Sequence, residues 1–269
     1  MTNAAGYWVH SWDAVAVQLG PLPLRWYGIM YIVGFAVAYW LLVRRQRAGL
    51  LRLPSRYAVQ DMLFYGFCGV LAGGRLGHCL FYEAGHYLRA PWEIVMVWKG
   101  GMSSHGGFVG VMVALWLFAR TYRVSFLNVL DNAVLAAAPG LLFGRLGNFI
   151  NAELCGRVTH VPWAVIFPNV DYQPRHPVQL YQAVMEGAVT FVVLAIVGRT
   201  ERPIGLLSGL FAVVYAAGRI FTERYREPSP VLQGPLGLGM TQGQFLSLFV
   251  LAIGVGLLVN CVREVKRGS

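Results

Sequence analysis

Arg145, Asn148, Asn151, Glu153 and Arg157 fall within one short stretch, Gly144-Arg-Leu-Gly-Asn-Phe-Ile-Asn-Ala-Glu-Leu-Cys-Gly-Arg157. It closes a long apolar run that begins near Leu127. An arginine in a lipid-embedded segment costs about 3 kcal/mol on insertion scales, so such a residue faces a protein interior or a water-filled cavity. Arg145 and Asn148 are one helical turn apart, and Gly144 and Gly147 leave room for close approach. Guanidinium and amide donors gathered at that depth are suited to holding an anion. The plainer alternative is an arginine that snorkels to the interface while the amides cap a helix end.

The Gly-Arg pair recurs. Gly74-Arg75, Gly144-Arg145 and Gly218-Arg219 each sit in an apolar run, and the first two extend to Gly-Arg-Leu-Gly with a glutamate farther on, Glu83 and Glu153. Three cations at similar depth repel one another unless an anion lies among them, which points to a shared pocket. Coincidence between two common residue types is the bland account. Gly100-Gly-Met-Ser-Ser-His-Gly-Gly107 opens another apolar run, so free N–H groups and a helix dipole point toward the same region. His105 in that first turn is a candidate base, because the dipole favours the neutral imidazole. The competing reading has Ser103 or Ser104 capping the helix and His105 hydrogen-bonding inside the bundle. Tyr215, Arg219, Glu223 and Arg226 share one helical face, where Glu223 either holds Arg219 or Arg226 in place or takes part in catalysis. Tyr27 and Tyr31 are one turn apart, Trp26 suits an interfacial aromatic belt, and Asp131 reads as structural.

Positioning these groups requires a bundle of membrane helices. The chain has 269 residues, 57% of them hydrophobic and only 13% charged, with a positive mean hydropathy. That composition is not one of an ordinary soluble domain. The net charge of +10 comes without a basic arm or an aromatic-interleaved basic patch, so no nucleic-acid partner is expected. The charge bias of membrane loops accounts for it. Cys68, Cys79, Cys155 and Cys261 show no paired spacing, and the histidines form no His-x-x-x-His pattern. Neither a disulfide framework nor a metal or other cofactor is expected.

Seven runs reach the roughly 20 residues a helix needs to span a bilayer. They lie near 24–43, 60–82, 102–119, 127–150, 178–198, 204–223 and 242–262. The expected fold class is all-α, a polytopic integral membrane protein of seven transmembrane helices with a small periplasmic loop region, forming one domain over 1–269. Residues 1–23 lack the basic start of a cleavable signal and read as a short interfacial segment, helped by Trp8 and Trp12. The aromatic stretch from Tyr87 to Trp98 reads as lying in the membrane plane. The polar connection carrying Pro162, Pro168 and Pro174 reads as a lid or a docking surface. Connections on one side hold twelve Lys and Arg residues against six on the other, which places the N-terminus outside and the C-terminus in the cytoplasm. Arg25, Arg75, Arg145 and Arg219 are the basic residues in or at the edge of spans.

The stretch from Gly144 to Arg157 resembles the hallmark motif of the bacterial prolipoprotein diacylglyceryl transferase family. Arg25-Trp-Tyr-Gly28, Gly73-Gly-Arg-Leu-Gly77, Gly100-Gly-Met-Ser-Ser-His-Gly-Gly107 and Arg175-His-Pro-Val-Gln-Leu-Tyr181 match that family in order. The resemblance implies an enzyme of the bacterial inner membrane that moves the diacylglyceryl group of phosphatidylglycerol to the lipobox cysteine of a preprolipoprotein signal peptide, forming a thioether and releasing glycerol 1-phosphate. It implies Arg145 and Arg219 as headgroup and transition-state residues with His105 nearby; His105 is the candidate base, and a neutral tyrosine or a lipid phosphate oxygen is the alternative proton acceptor. Tyr27, Arg75, Asn148, Asn151, Glu153, Gly156, Tyr215 and Glu223 are expected around the lipid, and Arg157 belongs to the same motif. One departure stands out: the family usually continues Leu-Tyr-Glu, whereas here Tyr181 is followed by Gln182. Either no carboxylate is required there or Glu186, one turn on, substitutes for it. Val178, where the family often has a small hydroxyl residue, is a milder departure. An anionic-lipid transporter or flippase is the competing class, but it calls for repeated halves with helices interrupted near the midplane. A seven-span receptor accounts for the topology and not for the Gly-Arg pairs.

Overall fold

The computed structural model describes residues 2, 6–227 and 240–268, and only the backbone of Ser104, His105 and Gln242. The described residues form helices α1 (Trp26–Arg47), α2 (Arg56–Phe81), α3 (Ala84–Arg89), α4 (Ser104–Tyr122) and α5 (Phe126–Ile150). They continue with α6 (Val178–Val197), α7 (Leu206–Glu223) and α8 (Gln242–Gly268). Among the described residues five segments are long and apolar enough to cross a membrane: Trp26–Arg47, Phe126–Ile150, Val178–Val197, Leu206–Tyr225 and Gly243–Arg267. Of the other two expected spans, α4 supplies a shorter apolar helix, Gly106–Tyr122, and α2 carries Arg56, Asp61 and Arg75 along its 26 residues. The chain is a mostly helical membrane protein.

The chain divides into two compact units, Leu42–Asn132 and a second built from Met1–Leu41 with Ala133–Ser269. In the first, α2 packs on α4 through backbone rather than side chains. A Cβ added at Gly73 would stand 2.3 Å from the Gly106 carbonyl oxygen, and one at Gly110 would stand 2.1 Å from that of Gly69. Small residues at four-residue spacing (Gly69, Gly73 and Gly77 against Gly106 and Gly110) permit that approach, as membrane helices require when lipid offers no hydrophobic drive to associate. Ser103 caps α4 by accepting from the Gly106 N–H at 3.2 Å, while its own N–H donates to the Gly74 carbonyl at 2.8 Å. Between the two helices the chain forms α3 and the 3₁₀ turns Pro91–Val95 and Val97–Lys99, exposing Leu88, Trp92, Val95 and Trp98. Arg45 donates to the Asn132 side chain, and Asn128 and Asn132 both donate to the Leu50 carbonyl. These bonds tie the connection after α1 to the start of α5. Asp131 is buried beside Arg45.

The second unit is also mostly helical but carries short strands beside its helices. Residues 1–23 and the connection after α5 contain short strands. β1 (Trp8–Val9) runs parallel to β4 (Val165–Ile166), which pairs antiparallel with β5 (Pro174–Arg175). β2 (Val15–Leu19) and β3 (Leu22–Arg25) form a hairpin turning through Gly20 at φ +57°. Segments of two to five residues carry too little period-2 alternation to stand out against an apolar background. Phe149, Ala152, Cys155, Val165 and Phe167 make a buried cluster on which Trp8 and Leu180 pack. Trp8 stacks on Phe149 at 5.9 Å, and His10 meets Phe149 and Phe167 ring edges or faces at 5.5 and 5.4 Å. The connection expected as a lid or docking surface thus contributes a packed core.

Candidate active site

The geometry of the site begins with helix α6. Its middle, Ala183–Val189, is a π-helical segment, a wider turn that often marks a functional position. The hydroxyl of Thr190 donates to the Met185 carbonyl at 3.2 Å, satisfying an acceptor inside that turn. Two glycines let the widened turn lie close to its neighbours. A Cβ on Gly187 would stand 2.7 Å from Leu142 of α5, and one on Gly218 of α7 would stand 3.3 Å from Met185. Glu186, between Met185 and Gly187, is thereby presented to both helices with no side-chain exposure at all (0%).

Both arginines meet it. Arg145 of α5 places Nη2 3.0 Å from Glu186 Oε2, and Arg219 of α7 places Nη1 3.3 Å from Oε1. The Thr222 hydroxyl donates to the same Oε1 at 3.1 Å. The two arginine side chains remain 20% and 13% exposed, whereas that of Glu186 is sealed. Glu223 continues the chain of charges, lying 3.4 Å from Arg219 and 3.7 Å from Arg226 and accepting from the Thr241 hydroxyl at 3.1 Å. The sequence left open which arginine Glu223 holds; it holds both. Tyr215, half-buried one turn before Arg219, lies within electrostatic reach of Glu186, Arg145 and Arg226.

The motif residues after Arg145 build a second wall. Gly147 is needed because a Cβ there would stand 2.9 Å from the ring of Tyr27. Tyr27 feels the charges of Glu153 and Arg145, and its hydroxyl pairs with that of Tyr31 at 3.2 Å. Asn148 and Asn151 each donate a side-chain amide to Glu153 at 3.3 Å. The chain then turns sharply through Ala152 and Leu154, both at positive φ (52° and 54°). Non-glycine residues rarely adopt that backbone region, and the turn is held by Gln179, which donates to the Glu153 carbonyl at 2.7 Å. Gly156 follows where no side chain fits: a Cβ would stand 2.5 Å from the His176 oxygen and 2.6 Å from that of Tyr225. Arg157 bonds the Tyr225 carbonyl through its backbone and the Arg226 carbonyl through Nε at 2.8 Å. Gly156 and Arg157 therefore fasten the motif to the end of α7, where Arg226 lies.

Beside this wall Arg175 binds Asp171 at 2.6 Å, Glu227 at 2.6 Å and the Gly156 carbonyl, and the pairing holds the Asp171 carboxyl below its usual range. Burial keeps His176 below the ordinary histidine value. Its Nδ1 lies 3.2 Å from the Tyr181 hydroxyl, which accepts from Trp163 at 2.7 Å. Burial pushes the Cys155 thiol up to about 11, which favours the neutral thiol.

Two expected site residues belong to the other compact unit. Arg75, buried at 3% exposure, donates to the backbone carbonyls of Glu93 at 2.6 Å, Ile94 at 2.9 Å and Gly101 at 3.3 Å, and to that of Gly100. Its donors are committed to the loop before α4, so it does not share the glutamate that joins the other two Gly-Arg arginines. His105 sits in the first turn of α4, and its side chain lies outside the described residues. Gln182 is buried, and its Nε2 has no hydrogen-bond partner among the described residues. The carboxylate that the arginines use comes from Glu186, which sequence reasoning had only as a substitute.

The model of the family described as prolipoprotein diacylglyceryl transferase matches residues 14–260. The chain belongs to that family. A relative from Nitrosospira multiformis is 48% identical over 254 residues, covering 93% of this chain and 87% of its own. One from Nitrosomonas europaea is 47% identical over 251 residues, with 92% and 89% covered. A third, from Nitratidesulfovibrio vulgaris, is 47% identical over 250 residues, with 92% and 93% covered. All three are named phosphatidylglycerol–prolipoprotein diacylglyceryl transferase. Within the family match fall both arginines, Glu186 and the whole Gly144–Arg157 motif.

Proposed function

We propose that the protein transfers the diacylglyceryl group of phosphatidylglycerol to the lipobox cysteine of preprolipoproteins, with Arg145 and Arg219 holding the lipid phosphate. The observation that carries this reading is the convergence of those two guanidiniums, from different apolar helices, on one buried carboxylate. Charged side chains at membrane depth are rare and mark substrate or ion pathways. The forked donors of arginine match phosphate oxygens.

In the reaction the peptide thiolate attacks the glyceryl carbon that bears the phosphate ester. A carbon–sulfur bond forms, the carbon–oxygen bond breaks, and the phosphate oxygen keeps the electron pair. Charge grows on that oxygen as the bond lengthens, and donors already in place stabilise it. The thiol proton passes to a base, a role we assign to His105 at the start of α4. Tyr27, Asn148, Asn151, Glu153 and Tyr215 take the headgroup side, while Gly156 and Glu223 hold the frame. Arg75, expected among the lipid-binding residues, instead fixes the loop that leads into α4, because its donors are spent on carbonyls.

In this reading the chain works as one domain with seven crossings, counting α2 and α4, in the inner membrane with its N-terminus outside. The test is purified protein with phosphatidylglycerol and a lipobox peptide, followed by mass spectrometry. The peptide should gain one diacylglyceryl unit, and a peptide with serine for the cysteine should not. Lipid moved between leaflets with no peptide modified would overturn the reading in favour of a flippase.

A further inference from the structure

We propose that Glu186 is a product-release residue: its charge lowers the affinity of the arginine cluster for the dianionic product more than for the monoanionic lipid phosphate. The inference rests on the transferase reading above. Ion pairs link five side chains, Arg145 and Arg219 to Glu186 at 3.0 and 3.3 Å, and Arg219 and Arg226 to Glu223 at 3.4 and 3.7 Å. Three cations against two anions leave one positive charge unmatched. Glu153, held by the amides of Asn148 and Asn151, forms no ion pair with these five among the described residues.

The lipid substrate is a phosphodiester with a single negative charge. Carbon–oxygen cleavage converts it to a phosphomonoester whose second proton ionises near pH 6, so the product carries nearly two charges at neutral pH. A fixed carboxylate repels a dianion about twice as strongly as a monoanion at the same distance. One full negative charge beside both phosphate-binding arginines therefore weighs against the product more than against the substrate. Glu186 also competes for the same donors. Each of its oxygens already faces one guanidinium, so the arginines stay paired as the phosphate departs, and release leaves no bare buried cation. The Thr222 hydroxyl and the close contacts of Gly187 and Gly218 hold the carboxylate where it can do both.

The experiment uses the full chain in detergent with phosphatidylglycerol and a lipobox peptide, titrated with glycerol 1-phosphate. Glu186→Gln keeps the shape and removes the charge, and Glu186→Asp keeps the charge. Glu186→Gln should lower the inhibition constant for glycerol 1-phosphate by about tenfold or more, with the apparent KM for lipid changed by no more than about threefold. A burst of one turnover should precede its slower steady rate. Glu186→Asp should keep the wild-type inhibition constant. Equal inhibition constants for wild type and Glu186→Gln overturn the proposal. Should Glu186→Gln yield no folded protein, Glu223→Gln removes the other anion of the cluster and must also tighten glycerol 1-phosphate, and no tightening overturns the proposal equally. A wild type that never modifies the peptide sinks the transferase reading instead. Calorimetric binding of glycerol 1-phosphate to wild type and Glu186→Gln then decides the charge argument separately.

Discussion

Arg75, Arg145 and Arg219 look alike in the sequence, each behind a glycine in an apolar run, yet their partners separate them. Arg145 and Arg219 point at a carboxylate and keep part of each side chain exposed, whereas Arg75 is sealed and satisfied by backbone oxygens. Lysine keeps the charge but not the planar fork. Removing one aligned donor from a preorganised site costs on the order of 3 kcal/mol, about a hundredfold in rate. Arg145→Lys and Arg219→Lys should each lose at least that much turnover at saturating lipid, at equal folded yield. Arg75→Lys should lose clearly less turnover but show a lower melting temperature, because one ammonium cannot reach every carbonyl that the guanidinium serves. Turnover and melting curves on the three variants check this. A deeper turnover loss for Arg75→Lys than for the other two would move the catalytic burden to the loop before α4.

At the scale of elements, glycines decide where helices meet. Gly73 faces the Gly106 backbone with no space for a methyl group, whereas Gly66, two turns earlier on α2, has nothing within 4 Å of an added Cβ. Overpacking a tight contact costs roughly 1–3 kcal/mol, and alanine in place of an open helical glycine is worth up to about 1 kcal/mol in the favourable direction. Gly73→Ala should therefore lower the melting temperature and the folded yield, and Gly66→Ala should leave both unchanged or raised. Thermal unfolding in one detergent compares the pair. The π-helical turn of α6 belongs to the same scale. Its cost in backbone geometry is matched by the Thr190 hydroxyl and by the closeness it gives Glu186 to α5 and α7.

For the molecule as a whole, the strand-bearing region around Trp8, Phe149 and Phe167 makes stability pH-dependent. His10 and His176 lie outside the membrane helices, and burial depresses both below the ordinary histidine value. The unfolded chain thus binds protons more readily, so their contribution is fully present above about pH 6.5 and is lost as the pH falls through the lower folded values. Asp171 is depressed as well, but it acts only in a more acid window, below its ordinary carboxylate value. The melting temperature should fall between pH 7.5 and 5.5, and the slope should flatten when His10 and His176 are both replaced by glutamine. Topology is tested at the same scale. Cysteines placed at Thr2 and Arg267 in a background without native cysteines should react oppositely with an impermeant thiol reagent in intact cells. Labelling of both from one side would leave an even number of crossings and refute seven.

The sequence by itself determined the class of protein and the local groupings. Apolar runs of membrane length, the family motif, the shared face of Arg145 and Asn148, and the Arg219–Glu223 and Glu223–Arg226 pairs are all contacts within a helical turn or two, which periodicity reports directly. The strands of the leader and of the 151–177 connection were not legible, being too short to show a period. Tertiary structure alone decided that Glu186 joins Arg145 and Arg219 across three helices, that Arg75 turns to backbone carbonyls, and that Gly156 and Arg157 fasten the motif to α7. The reason is physical. Which faces of distant helices meet depends on how closely their backbones approach, and here that is set by Gly187 against Leu142 and Gly218 against Met185. A widened turn in α6 then brings to those contacts a carboxylate whose partners lie far away in the chain.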